Sequence, residues 1–500
     1  MVVNSKRIAK NTVFMYLRLL ITIPIAFYTS RIVLKQLGVD DFGVYQAVAG
    51  IISMFTILRG AFDSATQRYY NDALAKDDNS YLSEIFTASL VVHIAITLLL
   101  LLLIEFFGLW FIENEMQYPA GSKSDVLFVF HTTVCTVVFI IMTIPFTGMV
   151  IAREHINFYA YLAILDVVLK LLLVLLLIFV DTNKLRIYAV FQMCVPIIIF
   201  LLTTGYFLKF FKDVRIKRFS HKTFISMANF SGWGLIGNVC YSLVNEGVNL
   251  LLNVFGGVVV NTARGIAYQV RTVINNITTS TITPLRPQAT QLFIRAEYKP
   301  FWELIYSYSR YLFLIASILN MPLIIYAQPI LYLWLGQTPP YSILFLQLLM
   351  LYTLVRSFHE PMDIVYKASG RMKTYQLTTV SISSMTFLLS WLFLKYGFPI
   401  YTPFVIFTII EAILLFALVF NARKEGISPY QYFYSVIRPC LIYIIMVAFW
   451  GLLSYYIIDV WFLSAFITVI GSLSLAYFIG LNKCERAKLK TIVISRFSIK

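Results

Sequence analysis

Charge is what this sequence has least of. Asp, Glu, Lys and Arg make up 13% of its 500 residues, about half the share of an average soluble domain. Hydrophobic residues make up 59% and mean hydropathy is +0.79, more apolar surface than a water-soluble fold can cover. Cysteine is also sparse. The five, Cys135, Cys194, Cys240, Cys440 and Cys484, form no C-x-x-C pair, which excludes a disulfide framework and a zinc pattern and leaves them as small core residues. No G-x-x-x-x-G-K-[ST] run is present, so a nucleotide-driven pump is excluded. No stretch between apolar runs exceeds about 25 residues. That leaves no room for a soluble catalytic domain and argues against a membrane glycosyltransferase, polymerase or ligase. No catalytic triad or metal-ligand cluster stands out, so no enzymatic activity, cofactor or metal is expected.

Long apolar runs fill the chain instead. A membrane-crossing helix needs roughly 20 mostly apolar residues. By that measure spans fall at 11–35, 42–62, 84–112, 125–151, 156–180, 185–208, 223–252, 258–283, 303–327, 341–365, 374–395, 399–421, 434–456 and 461–481. The expected fold is an all-α polytopic membrane protein of about fourteen transmembrane helices. The basic N-terminus, Lys6, Arg7 and Lys10, precedes an apolar run that is too long for a signal-peptide core and reads as the first span.

Net charge is +16. In a soluble protein that would point to nucleic acid; here the cations sit in short loops and set orientation. With the N-terminus inside, 26 Lys and Arg fall on the cytoplasmic side and 5 outside, and 9 lie in or at the ends of spans. A missed span would scramble this bias downstream, so the even count and two cytoplasmic termini are expected together, with no nucleic-acid partner.

The longest cytoplasmic basic loop, Lys209 to Lys222, divides the spans. Residues 1–210 read as an N-terminal six-helix lobe, 211–222 as a basic linker, 223–422 as a second six-helix lobe, and 423–500 as two extra helices and a basic tail. The halves echo each other faintly. Gly38-Val39-Asp40-Asp41-Phe42-Gly43-Val44-Tyr45-Gln46 follows the first span; Gly256-Gly257 and then Gly265-Ile266-Ala267-Tyr268-Gln269 follow the seventh. Repeated lobes with a substrate site between them are a common transporter plan, so a central cavity is expected.

Charge inside the bilayer is costly, roughly 2.5–3.5 kcal/mol per residue at the centre. Six such cations facing lipid would cost on the order of 15–20 kcal/mol, more than a whole fold's net stability. Arg31 and Arg438 lie near helix ends and can snorkel; Lys170 has Asp166 one turn away. The remainder are Arg18, Arg59, Arg264, Arg271, Arg310 and Arg356. Several stand on polar stripes at helical spacing, with Asn245 and Asn249 in the seventh span and Tyr268 and Asn275 in the eighth. The tenth carries Arg356, His359, Glu360, Asp363 and Lys367. Two readings fit: helix–helix hydrogen bonding, or a wet cationic lumen. Arginine's planar fork suits phosphate oxygens, so the six arginines with Asn245, Asn249, Tyr268 and Asn275 are the expected substrate-binding set. Glu246, Glu360 and Asp363 are candidates for ion coupling; Glu246 equally suits neutralising Arg264 or Arg271.

In the N-terminal quarter, Arg7-Ile8-Ala9-Lys10-Asn11-Thr12, Tyr28-Thr29-Ser30-Arg31-Ile32-Val33-Leu34, Leu37-Gly38-Val39-Asp40-Asp41-Phe42-Gly43-Val44-Tyr45 and Ser64-Ala65-Thr66-Gln67-Arg68-Tyr69-Tyr70 follow one another in an order that resembles the polysaccharide-transporter family of lipid-linked oligosaccharide flippases, of the O-antigen and capsule type. The hydropathy plan extends the likeness over the whole chain. It implies a superfamily shared with multidrug and toxin extrusion transporters, and two lobes that work by alternating access. It implies as substrate an undecaprenyl-diphosphate-linked oligosaccharide unit, moved across the bacterial inner membrane, with H+ or Na+ coupling and polysaccharide assembly proteins as possible partners. A cation or drug exporter of the same superfamily is the alternative, and a glycan polymerase or ligase a more distant one.

Overall fold

The computed structural model describes residues 5–56, 66, 69–70, 73–74, 78–153, 155–282, 289, 291–293, 295–482 and 485–486, and within these the side chains outside 5–20, 54–56, 156, 221–224, 226–241 and 279–282. All regular structure among the described residues is helical. The helices are α1 (Ser5–Thr56), α2 (Asn79–Asn114), α3 (Lys123–Met142), α4 (Ile144–Ala152), α5 (Ile156–Leu176), α6 (Lys184–Phe210), α7 (His221–Ile282), α8 (Tyr298–Ile325), α9 (Ala327–Leu335), α10 (Ser342–Arg356), α11 (His359–Ala368), α12 (Met372–Lys395), α13 (Thr402–Asn421), α14 (Pro429–Tyr432), α15 (Arg438–Ile457) and α16 (Trp461–Leu475).

Eleven helical segments among the described residues are long and apolar enough to cross a membrane. These include α7 once, as Ser242–Thr278, and not α1; α1 and α7 are each broken by one glycine, so the two arms of α1 and the division of α7 bring the count to fourteen. In α1 the break is Gly38, with φ 79° and ψ −179°; in α7 it is Gly257, with φ 70° and ψ −174°. That backbone region is essentially restricted to glycine. The arms of α1 are about 50 and 27 Å long at 1.5 Å per residue, so each is of spanning length. The loops expected at 36–41 and 253–257 are therefore single-residue bends, and the first two spans, like the seventh and eighth, form continuous broken helices.

The chain groups into two compact units, Met1–Thr262 with Trp334–Pro339, and Ala263–Leu333 with Pro340–Lys500. In the first unit α3 packs on α6 and α1 on α5, over an aromatic core in which Phe86 stacks on Phe207 at 4.6 Å and Phe146 meets Phe207 edge-on at 5.3 Å. The two glycine bends meet within this unit. The fifth residue after one bend touches the first residue after the other, in both directions. A Cβ on Gly43 would stand 2.0 Å from the Val258 carbonyl oxygen, and the Thr262 hydroxyl donates to the Val39 carbonyl at 2.6 Å. Reciprocal contacts of this kind are the mark of a two-fold relation. The glycines fix the register of the repeat, and in that register Tyr45-Gln46 stands one helical turn away from Tyr268-Gln269.

In the second unit α8 is the central element, packed against α10, α11, α15 and α16. Its apolar face buries Phe301, Ile305 and Phe313. The last two helices join through small polar residues one turn apart. Ser464 and Thr468 lie 2.7 and 2.9 Å from the Tyr326 hydroxyl, and Gly451 lets the Ile325 side chain come close. Small residues allow close backbone approach where lipid supplies no hydrophobic drive between helices.

Candidate functional site

The polar residues expected to line one lumen separate into groups with different partners. In the first unit the asparagines of α7 bond chiefly to one another and to backbone. Asn261 donates to the Asn249 side-chain and backbone oxygens at 2.9 and 3.0 Å. Asn253 donates to Asn261 at 2.8 Å and accepts from the Gln117 backbone at 2.8 Å. Asn249 donates to the Gln46 carbonyl at 3.4 Å. The pairs 249–261 and 253–261 bridge the Gly257 bend, so these amides splice the two arms where helical bonding is interrupted. Buried amides of this kind need such partners, since each unmade bond costs about 1–3 kcal/mol. Asn245 is buried on the same face. Glu246 lies against the second arm of α1, its Oε2 3.4 Å from where a Gly50 Cβ would stand.

The second unit gathers the cations. On α7 beyond the bend, Arg264, Tyr268 and Arg271 recur at intervals of four and three, and so share a face. The Arg264 guanidinium lies 3.9 Å from the Tyr268 ring centre and that of Arg271 4.8 Å from it. Arg271 also lies 4.8 Å from the ring of Tyr352 on α10. Both arginines are buried, at 6% and 4% exposure. Two guanidinium groups on one ring lie within about 9 Å of each other and repel by about 2 kcal/mol at an effective dielectric near 20. Cation–π attraction, up to about 2 kcal/mol for a desolvated cation, offsets that repulsion. The tyrosine rings thus fix where the two guanidinium groups stand on this face. Asn275 follows one turn further, half-buried.

One turn along α10 from Tyr352 stands Arg356, whose Nη1 donates to Glu411 Oε1 at 3.0 Å. Glu411 sits inside α13 and is 5% exposed. His359, at the start of α11, brings Nδ1 to 3.0 Å from the same carboxylate oxygen, while its Nε2 lies 2.7 Å from the Tyr375 hydroxyl of α12. Three helices therefore meet at one carboxylate, and α12 joins them through His359. Asp363 bonds Lys367 at 2.6 Å, one turn along α11, and Glu360 is half-buried on the same helix.

Arg310 on α8 stands elsewhere. It donates to the Ser435 carbonyl at 2.7 Å and pairs with Glu485, both side chains being 7% exposed. Glu485 and Asn482 cap each other's backbone amides, both at 2.8 Å. These bonds account for a buried arginine by anchoring the end of the last helix on α8. The side chain of Arg18 and the whole of Arg59 lie outside the described residues. Lys170 bonds Asp166 at 2.8 Å.

Sequence reasoning counted Glu411, Tyr352 and Tyr375 as part of their spans without giving them a role. Glu411 carried the stronger signal, being the one acid in the apolar run 402–421, and an ionisable residue inside a span is a functional candidate by default. Tyr352 stands four residues before Arg356, on the same face.

No family model matches the chain, and no curated protein matches it. Solved structures do. An inward-facing multidrug resistance MATE family transporter of the MOP superfamily aligns with a TM-score of 0.70 at 12% identity, over 81% of this chain and 94% of that one. The lipid II flippase MurJ in an inward closed conformation aligns with a TM-score of 0.69 at 12% identity, over 94% of this chain and 98% of that one. A MOP superfamily transporter from Pyrococcus furiosus, described as having a binding pocket of reversed polarity, aligns with a TM-score of 0.60 at 12% identity, over 83% and 95%. The chain has the fold of these multi-span membrane proteins.

Proposed function

We propose that this chain is a flippase that moves undecaprenyl-diphosphate-linked oligosaccharide units from the cytoplasmic to the outer leaflet of the bacterial inner membrane by alternating access. Both termini would be cytoplasmic, and the product would serve O-antigen, capsule or exopolysaccharide synthesis. The observation that carries this reading is the file of buried Arg264, half-buried Tyr268, buried Arg271 and buried Tyr352, continued by Arg356. A diphosphate brings about two negative charges and planar oxygen pairs that guanidinium groups bind bidentately. Arg264 and Arg271 would receive the diphosphate, and Tyr268 and Tyr352 would hold them oriented. Asn245, Asn275 and Glu246 remain candidates for contacts to the sugar or to a coupling cation, as do Glu360 and Asp363 for coupling. Support also comes from the lipid II flippase, whose likeness extends over a larger share of this chain than that of the MATE transporter.

The second reading, export of a cation or drug, draws on the MATE likeness. The same file opposes it, since paired guanidinium groups repel a cation. The two separate in proteoliposomes. Labelled undecaprenyl-diphosphate oligosaccharide should change leaflet with the intact protein, and Arg271→Ala should reduce the rate at least tenfold in protein that remains folded. Transport of cationic dyes with no leaflet transfer of the glycolipid would overturn the proposal in favour of the exporter.

A further inference from the structure

The first unit carries a feature that the transport reading does not use. Between α5 and α6 an open groove of about 720 Å³ runs along the outer surface. Its walls are apolar, formed by residues such as Tyr161, Leu165 and Leu201, and Lys209 is the one charged group lining it among the described residues. Tyr161 and Leu201 are 60% and 61% exposed, so the groove opens outward. On α5 it extends from Phe158 to Val168, about 15 Å at 1.5 Å per residue. That is half of a hydrocarbon core about 30 Å thick, the depth of one leaflet.

Its floor is made by an absence. Gly205 lies inside α6 with ordinary helical backbone, and a Cβ there would meet nothing within 4 Å. Glycine weakens a helix interior, and neither a tight contact nor a positive φ requires it here. Its effect is to keep the groove open. Beside it Tyr206 stacks on Phe158 at 3.6 Å, which walls the end nearest Lys209.

Charge marks that same end. Lys209 opens the segment 209–222, which also holds Lys212, Arg215, Lys217, Arg218 and Lys222 against a single acid, Asp213. Asp213 is engaged by Arg153 at 3.0 Å, while Lys212, Arg215 and Arg218 are exposed. Ile216, between two cations, is 77% exposed. Basic residues interleaved with exposed apolar ones at the end of a membrane helix are the pattern that attracts an anionic lipid surface.

We infer that this groove binds one anionic phospholipid of the bilayer, an acyl chain lying over Gly205 and the phosphate held at Lys209 and Lys212. The occupant is a lipid of the surrounding leaflet, and the site is independent of the substrate path.

The test uses the full chain in detergent and in nanodiscs, with phosphatidylglycerol and phosphatidylcholine as probes and native mass spectrometry to count retained lipid. The wild type should retain phosphatidylglycerol over phosphatidylcholine about fivefold or more, and Lys209→Gln should reduce that preference about fivefold. Gly205→Trp fills open space and should abolish retention at this site with the lipid-free melting temperature unchanged; Leu202→Trp does the same from the opposite turn if the first variant fails to fold. Equal retention of both lipids, or retention unaffected by both tryptophans, would overturn the inference. So would displacement of phosphatidylglycerol by an equimolar amount of undecaprenyl phosphate, which would assign the groove to a polyprenyl tail. A change from dimer to monomer in Gly205→Trp would assign it to a second copy.

Discussion

The Glu411 carboxylate is buried between Arg356 and His359, and its partners set what substitution does there. Removing Arg356 leaves a buried carboxylate without its main counter-charge, a change that costs about 3–5 kcal/mol in other proteins. Arg356→Ala should therefore lower the detergent unfolding midpoint sharply, and lost transport in that variant reports on folding before it reports on substrate. The double variant Arg356→Met, Glu411→Leu should recover most of the midpoint, because an apolar pair of similar volume avoids the desolvation cost. If the double variant were as unstable as the single one, the carboxylate would not be the source of the loss. Tyr268 permits a cleaner functional probe. Tyr268→Phe keeps the ring face under both guanidinium groups and should flip at nearly the wild-type rate; Tyr268→Leu should be slower about tenfold or more, consistent with the loss of two cation–π contacts of about 1 kcal/mol each.

Residue types were legible in the sequence at this scale, and partners were not. The stripe of α7 before the bend and the stripe after it have the same helical spacing. Spacing places residues on one face but does not say what the face meets. The first stripe is largely occupied by its own amides, the second stacks on tyrosines. Arg310 finds Glu485, 175 positions away, and no local pattern announces a partner at that distance.

At the scale of elements, the two broken helices set the geometry. Gly38→Ala meets no side chain and should still destabilise by about 1–3 kcal/mol from backbone strain alone. Gly257→Ala adds a 3.2 Å approach to the Gln117 side-chain oxygen and should cost more. Gly43→Leu should be worse than either, since its Cβ meets backbone at 2.0 Å; the order of midpoints in chemical denaturation checks this. The sequence shows glycines between apolar runs, and hydropathy reads such a place as a loop. It cannot distinguish a loop from a one-residue bend, because both leave the same gap in the pattern.

The segment after α6 offers a pH test. Arg153 beside Asp213 holds that carboxyl below the usual carboxylate range, hydrogen bonding being the first cause. A group whose folded value is depressed contributes fully above its unfolded value and loses that contribution as pH falls through the folded one. Docking of 211–220 should therefore be unchanged from neutral pH down to the usual carboxylate range and loosen below it. Hydrogen exchange of the Val214 amide, bonded to the Phe211 carbonyl at 3.1 Å, reads it. Loosening that began near neutral pH would show that the Arg153–Asp213 pair is not what holds the segment.

For the whole molecule, the proposed cargo makes transport electrical. Two negative charges moving outward across an inside-negative membrane gain about 4–5 kcal/mol per 100 mV, so the potential alone suffices to drive net flux. Collapsing it in proteoliposomes should bring the two leaflets near equal occupancy, and reversing it should reverse the flux. If accumulation ignored the potential and followed a proton or sodium gradient, Glu246, Glu360 and Asp363 would become the residues to vary first.

The reciprocal contact between the two bends also has a consequence for synthesis. Gly43 and Val258 are separated by more than 200 residues. At ribosomal rates of about 5–20 residues per second, the second bend emerges on the order of ten to forty seconds after the first. Throughout that interval the close-approach face of Gly43 is in the membrane without the backbone it is shaped to meet. The first pair of spans must wait, held by lipid or by the insertion machinery, until the second half of the repeat arrives. Substitutions that fill that face, such as Gly43→Leu, should then reduce the yield of inserted protein more than the stability of whatever matures.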